Sequence, residues 1–270
     1  MIFKRRHRIM AAGVSPPLSP RKWDQLRAPQ ALALVGAYLA GQVLAWFVIA
    51  IVAALRVDKE AGPPALQQEV IRLMPAGLLI AIVAGAVSAL MLYRWKTGRS
   101  AVATAGEELG WGPSRPRDLV VGLASGLVLA TIYLLGAPLL AASPRLSDMG
   151  LLSQLAATGG LPRAAWAFAG VVVGPPVEEL VFRGALFSGS ARSWGRAAAI
   201  GVTTAVFGML HLPEFWVYWP AAVSVTVLGL ATAIIRDRTG RIVPCIVAHC
   251  AYNSMLVLTA YGIGFPVRPG

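Results

Sequence analysis

Charge is scarce in this sequence. Aspartate, glutamate, lysine and arginine make up 13% of the 270 residues, 57% are hydrophobic, and the mean hydropathy is +0.66. An average soluble domain is about 25% charged, and one of this length buries only about 75% of its chain's surface. A soluble globular fold is therefore excluded, and lipid is the solvent for much of the chain. Cysteine is nearly missing. Cys245 and Cys250 stand five apart in one apolar run, which is poor disulfide geometry along a helix, so both read as small buried side chains. Acidic residues are half as many as basic ones, 12 against 24, for a net charge of +12. In a soluble protein that balance suggests nucleic acid. Here the positive charges fall in short clusters between apolar runs rather than along a face, which excludes nucleic acid and fits a membrane orientation signal. No apolar core follows the basic stretch Lys4, Arg5, Arg6 and Arg8, where Pro16, Pro17 and Pro20 stand instead. The expectation is an uncleaved anchor rather than a signal peptide.

What the sequence does have is long apolar runs. A spanning helix needs roughly 20 mainly apolar residues, and such runs cover 31–55, 73–93, 119–142, 164 to about 187, and 242–261. Residues 197–235 hold no lysine or arginine, and a split near Pro213 makes two spans of them. Trp216, Tyr218 and Trp219 are then expected in an interfacial aromatic belt. This gives an all-α polytopic membrane protein of about seven helices. With the N-terminus in the cytoplasm, 18 of the lysines and arginines fall on the inner side and 6 on the outer, the bias that orients short loops. The expected organisation is a basic cytoplasmic tail (1–30), N-terminal transmembrane helices (31–142) and a core of helices carrying the chemistry (164–261). Twenty of the 24 basic residues are arginine and alanine is abundant, which points to a GC-rich bacterial genome and a bacterial cytoplasmic membrane.

Ionisable groups inside a span cost about 2.5–3.5 kcal/mol each on insertion scales. The first three runs have none, whereas the later ones hold Glu178, Glu179, Arg183, His211 and His249, with the polar Asn253 one turn beyond the last. Such clustering is the mark of a buried reaction or transport site. Glu179 and Arg183 are four apart and share a helix face, so they can pair. Glu178 is turned about 100° away and is the carboxyl left free for proton transfer. His249 and Asn253 also share a face, as do Phe207 and His211. Gly174-Pro175-Pro176 is expected to break or kink the helix, and broken backbone at membrane depth lines a cavity. Glu107 and Glu108 read as a solvated loop. Measured from the basic residues at about 1.5 Å per residue, Glu178 and His249 lie about 14 and 12 Å deep but His211 about 22 Å, so either Arg196 protrudes below the membrane or the fifth helix is offset or tilted.

These residues match a family pattern. Glu178-Glu179-Leu-Val-Phe-Arg183 fits EExxxR, Phe207-Gly-Met-Leu-His211 fits FxxxH, and His249-Cys-Ala-Tyr-Asn253 fits HxxxN. Three such motifs in this order resemble the CPBP family of CAAX proteases and bacteriocin-processing enzymes, also called Abi. The Gly229-bearing span, the Arg-Asp-Arg-Thr-Gly that follows it and Pro244 are similar to the family as well. The resemblance implies an intramembrane endopeptidase acting on a membrane-associated protein or peptide. In it Glu178 with His211 activates water, His249 and Asn253 stabilise the oxyanion, and Glu179 with Arg183 holds the geometry.

Two chemistries stay open. Glu178, Glu179, His211 and His249 could ligate zinc, or the site could work without a metal or other cofactor. The absence of a closely spaced HExxH pair favours the glutamate-type reading. Aspartyl chemistry is not expected, because Asp118, Asp148 and Asp237 fall in loops, and no GxSxG occurs. A proton-coupled transporter and a non-catalytic scaffold or immunity protein are the competing classes.

Overall fold

The computed structural model describes residues 25–140 and 159–262, apart from residues 59, 61, 100–105 and 107. Among them every regular element is helical. Seven helices are numbered here as α1 (Ala28–Arg56), α2 (Gly62–Thr97), α3 (Pro116–Leu140), α4 (Gly160–Trp194), α5 (Arg196–Leu210), α6 (Leu212–Thr239) and α7 (Val243–Ala260). Six are long and apolar enough to cross a membrane. The exception is α5, whose 15 residues span about 22 Å against a hydrocarbon core of about 30 Å. Of the expected tail, residues 1–24 lie outside the described residues, and α1 begins within it at Ala28.

The expected split at Pro213 falls two residues earlier. His211 ends α5 with non-helical dihedrals, and Pro213 sits in the first turn of α6, where its missing N–H costs nothing. The real bend in α6 is at Tyr218, with φ −155° and ψ 88°, two residues before Pro220, whose ring cannot fit a continuous helix. That bend turns Tyr218 inward. Trp216 and Trp219 are exposed as a belt requires, but Tyr218 is buried against Trp166, Tyr133 and Ala260. Asp118 and Asp237, read as loop residues, occupy the first turn of α3 and the last of α6.

Small residues set the helix pairs. A Cβ on Gly122 or Gly126 of α3 would collide with the Pro244 or Ala248 carbonyl of α7. A Cβ on Gly85 of α2 would lie 2.7 Å from the Tyr38 carbonyl of α1. Close backbone approach of this kind is how helices associate where lipid removes the hydrophobic drive. Between α4 and α5 the chain reverses at Gly195, with φ +84° and ψ 168°, a conformation a side chain resists. Arg196 then meets Asp237 at 2.5 Å, so α5 and α6 run antiparallel from one level.

Candidate active site

The chemistry-bearing residues collect where α4 meets α5, α6 and α7. The expected break at Gly174-Pro175-Pro176 takes another form. A π-helical stretch, Phe168–Val173, precedes the α-helical turn Gly174–Glu179, and a second, Leu180–Leu186, follows it. Single π turns inside α-helices recur at functional sites. The proline pair explains the first. Gly174 gives its N–H to Ala169, five residues back, and neither Pro175 nor Pro176 has one to give. The Gly170 and Val171 carbonyls are thus left without regular helical donors. Side chains of α7 supply them: Asn253 Nδ2 donates to Gly170 O at 2.6 Å, and Cys250 Sγ to Val171 O at 3.2 Å.

The two glutamates occupy different environments. Glu179 and Arg183 are fully buried, with Arg183 Nη1 3.2 Å from Glu179 Oε1. The same oxygen lies 3.0 Å from His249 Nδ1. Since a carboxylate only accepts, Nδ1 carries the hydrogen, and Nε2 is the nitrogen turned toward the rest of the site. It faces Glu178 Oε2 at 3.9 Å, beyond hydrogen-bond length but bridgeable by one water. Glu178 keeps 24% of its side chain exposed. Of the pair, it is the carboxylate that can reach a substrate.

Arg183 is held from several sides. Its Nη2 donates to Gly229 O of α6 at 2.8 Å, and its guanidinium lies 4.4 Å from the centre of the Phe207 ring. Gly229 is small for a reason, because a Cβ there would come 2.9 Å from the Phe207 ring and 3.3 Å from Arg183 Nη2. Phe207 itself is 1% exposed and packs on Phe182, His211 and His249 with ring centres 5.2, 4.9 and 5.9 Å away. It is the wall on which both histidines rest.

His211 reaches the site through that ring. Its Nδ1 lies 2.9 Å from Phe207 O; a carbonyl can only accept, so in the neutral ring Nε2 carries the lone pair. Among the described residues no ion pair joins His211 to Glu178. His211 stays one helical turn beyond Phe207, at the C-terminal end of α5.

Nor do Glu178, Glu179, His211 and His249 gather as ligands. Among the described residues no three His, Cys, Asp or Glu side chains stand close enough to share an ion. Glu179 Oε1 is already shared by Arg183 and His249.

Glu108 is not the solvated residue its loop suggests. It is bound by Tyr93 Oη at 3.2 Å and Arg99 Nη1 at 3.5 Å; Glu107 lies outside the described residues. Two neighbours of the site carry no motif. Tyr38 of α1, 1% exposed, meets Phe182 edge-on at 6.3 Å, and Arg236 of α6 donates Nε to Arg183 O at 2.9 Å. Arg236 stands in the Arg-Asp-Arg-Thr-Gly stretch, where its position in a last turn reads as an ordinary inner-side charge. Nothing in the sequence marks Tyr38.

Fold and site together define a polytopic helical membrane protein with a charge-bearing centre buried among its last four helices. Residues 160–255 match the family model Rce1-like, described as type II CAAX prenyl endopeptidase Rce1-like, and this stretch holds the EExxxR, FxxxH and HxxxN patterns from Glu178 to Asn253. No curated protein and no solved structure matches the chain.

Proposed function

We propose that the protein is an intramembrane endopeptidase of glutamate type, hydrolysing a peptide bond of a membrane-associated protein or peptide. The observation that carries this reading is His249 set between the two glutamates, Nδ1 on Glu179 and Nε2 3.9 Å from Glu178. A water bridging Glu178 and His249 Nε2 is placed for attack. Glu178 takes its proton as the water oxygen bonds to the substrate carbonyl carbon, and returns it to the amide nitrogen as the C–N bond breaks. His211 Nε2 supports the base from the far side of Phe207 once substrate closes the gap. The oxyanion is met by His249, donating from Nε2 when protonated, and by the second Nδ2 hydrogen of Asn253. Glu179 and Arg183 hold His249 in register. In this glutamate-type scheme Glu178 is the base, and Arg183 serves as the cation that balances Glu179. The match to a prenyl endopeptidase model supports a prenylated substrate ending in a CAAX-type tripeptide, and processing of a bacteriocin leader fits the same chemistry.

The test is hydrolysis by purified protein in nanodiscs, using an internally quenched peptide with a farnesylated cysteine three residues from its end. Wild-type protein should cut it, and Glu178→Gln should fall by about 10²–10⁴ with an unchanged melting temperature. Undiminished turnover in Glu178→Gln would remove the proposed base. Inert wild-type protein would refer the reading to leader-type peptides or to a non-catalytic role.

A further inference from the structure

Where a π-helical stretch returns to α-helix, one carbonyl loses its regular donor. At the second such exit in α4, the Phe187 N–H goes to Phe182 O. An α-helix would have given that N–H to Arg183 O. The replacement is Arg236 Nε, 2.9 Å away, just as Asn253 replaces the donor to Gly170 O at the first exit. Asn253 belongs to the HxxxN motif, whereas Arg236 lies outside the three motifs and carries no assigned role.

Arg236 is set firmly. Its Nη2 lies 3.2 Å from Ser188 Oγ, its guanidinium 5.6 Å from the Phe187 ring centre, and it is 8% exposed. The loop before α3 lies directly over it. A Cβ on Gly110 would come 2.5 Å from the guanidinium carbon, and Gly110 O accepts the Ile242 N–H at 3.1 Å. Yet no carboxylate among the described residues is within ion-pairing distance of Arg236. A buried cation with neutral partners alone is a poor stabiliser compared with an apolar side chain of its size. Its value lies in what it holds. Arg183 O is the backbone end of a chain of contacts that continues through the Arg183 guanidinium to Glu179 Oε1 and His249 Nδ1.

We infer that Arg236 is a positioning residue for the proposed hydrolysis: by donating to the Arg183 carbonyl it fixes the π turn that aims Arg183, and through it Glu179 and His249. The effect on turnover rests on the function proposed above; the effect on His249 does not.

The experiment compares Arg236→Gln and Arg236→Lys with wild type in nanodiscs by two readouts. The first is kinetics on the farnesylated quenched peptide. A misplacement of about 1 Å costs on the order of 10²-fold, so Arg236→Gln should lose about 10- to 100-fold in kcat with KM within about threefold. Arg236→Lys, which keeps one charged donor, should recover part of that loss. The second needs no substrate. The chain has three histidines, so side-chain nitrogen NMR is assignable by single His→Gln replacements. The His249 Nδ1 resonance should move in Arg236→Gln and return toward wild type in Arg236→Lys, while His211 stays put. If wild type fails to cut the peptide but His249 responds as stated, the proposed function falls and this inference stands. Wild-type His249 resonances in Arg236→Gln overturn it, as does a lysine variant no better than glutamine. Should Arg236→Gln not insert, Arg236→Lys decides alone: a kcat lowered at least about fivefold at constant KM supports the role, and a wild-type kcat with an unmoved His249 resonance ends it.

Discussion

Arg183 and His249 share one oxygen: Glu179 Oε1 lies 3.2 Å from the arginine and 3.0 Å from the histidine. A single carboxylate therefore neutralises a buried cation and fixes the tautomer of a ring on a different helix.

Removing that carboxylate has an expected signature distinct from that of its neighbour. Glu179→Gln strands Arg183, and breaking one side of a buried pair costs roughly 3–5 kcal/mol. The Gly229 carbonyl remains for Arg183, so the loss should lie at the lower end. Melting temperature should drop along with turnover, and adding Arg183→Met should restore part of the stability without activity. A stable but inactive Glu179→Gln would show that the two glutamates exchange roles.

Gly229→Ala probes the same arginine from α6. The added methyl meets Phe207 and Arg183 Nη2, and overpacking a filled core typically costs about 1–3 kcal/mol. Thermal unfolding should show it as a lowered melting temperature. Because the methyl presses on the Arg183–Glu179 pair, turnover should fall as well. Wild-type stability would mean that Phe207 can swing aside.

Metal content is open to direct measurement. Purified protein should hold no stoichiometric zinc, and chelators should leave turnover intact. Zinc near one per chain, lost with activity and restored by readdition, would put the metallo-type chemistry in place of the glutamate type.

Orientation rests on the arginine and lysine bias alone. Reporter fusions after Arg56, after residue 143 and at the C-terminus should report outside, and those at Arg99 and Arg238 inside. The short α5 does not alter this count, since it runs antiparallel to α6 from the Arg196–Asp237 contact. A cytoplasmic C-terminus would remove one crossing.

Hydropathy was enough to locate the helices, because a run of lipid-facing residues needs no partner to be recognised. The four-residue spacings of Glu179 with Arg183 and of His249 with Asn253 were equally plain. The winding of α4 was not legible. Whether a proline pair breaks a helix or shifts it into π register depends on donors such as Asn253, which lies 83 residues from Gly170 in the chain. For the same reason Tyr218 looked like a belt residue until the bend in α6 turned it inward, and Glu108 looked solvated until Tyr93 and Arg99 came to it. The grouping of Glu178 with His211 came from the family pattern; here Glu178 stands nearer His249, and Phe207 separates the other two rings. Tyr38 shows the limit most clearly, since an apolar helix bearing one tyrosine gives no hint of what that ring will touch.

The length of α5 has a consequence for the bilayer itself. A helix of about 22 Å beside neighbours built for about 30 Å leaves lipid tails with nothing apolar to cover at one end, so the membrane must pinch there or admit water. Hydrolysis needs that water at a depth where hydrocarbon would exclude it. The shortest helix is also the one that carries Phe207 and leads into His211, so a bilayer thinned or wetted along it would bring water beside the residues of the proposed site.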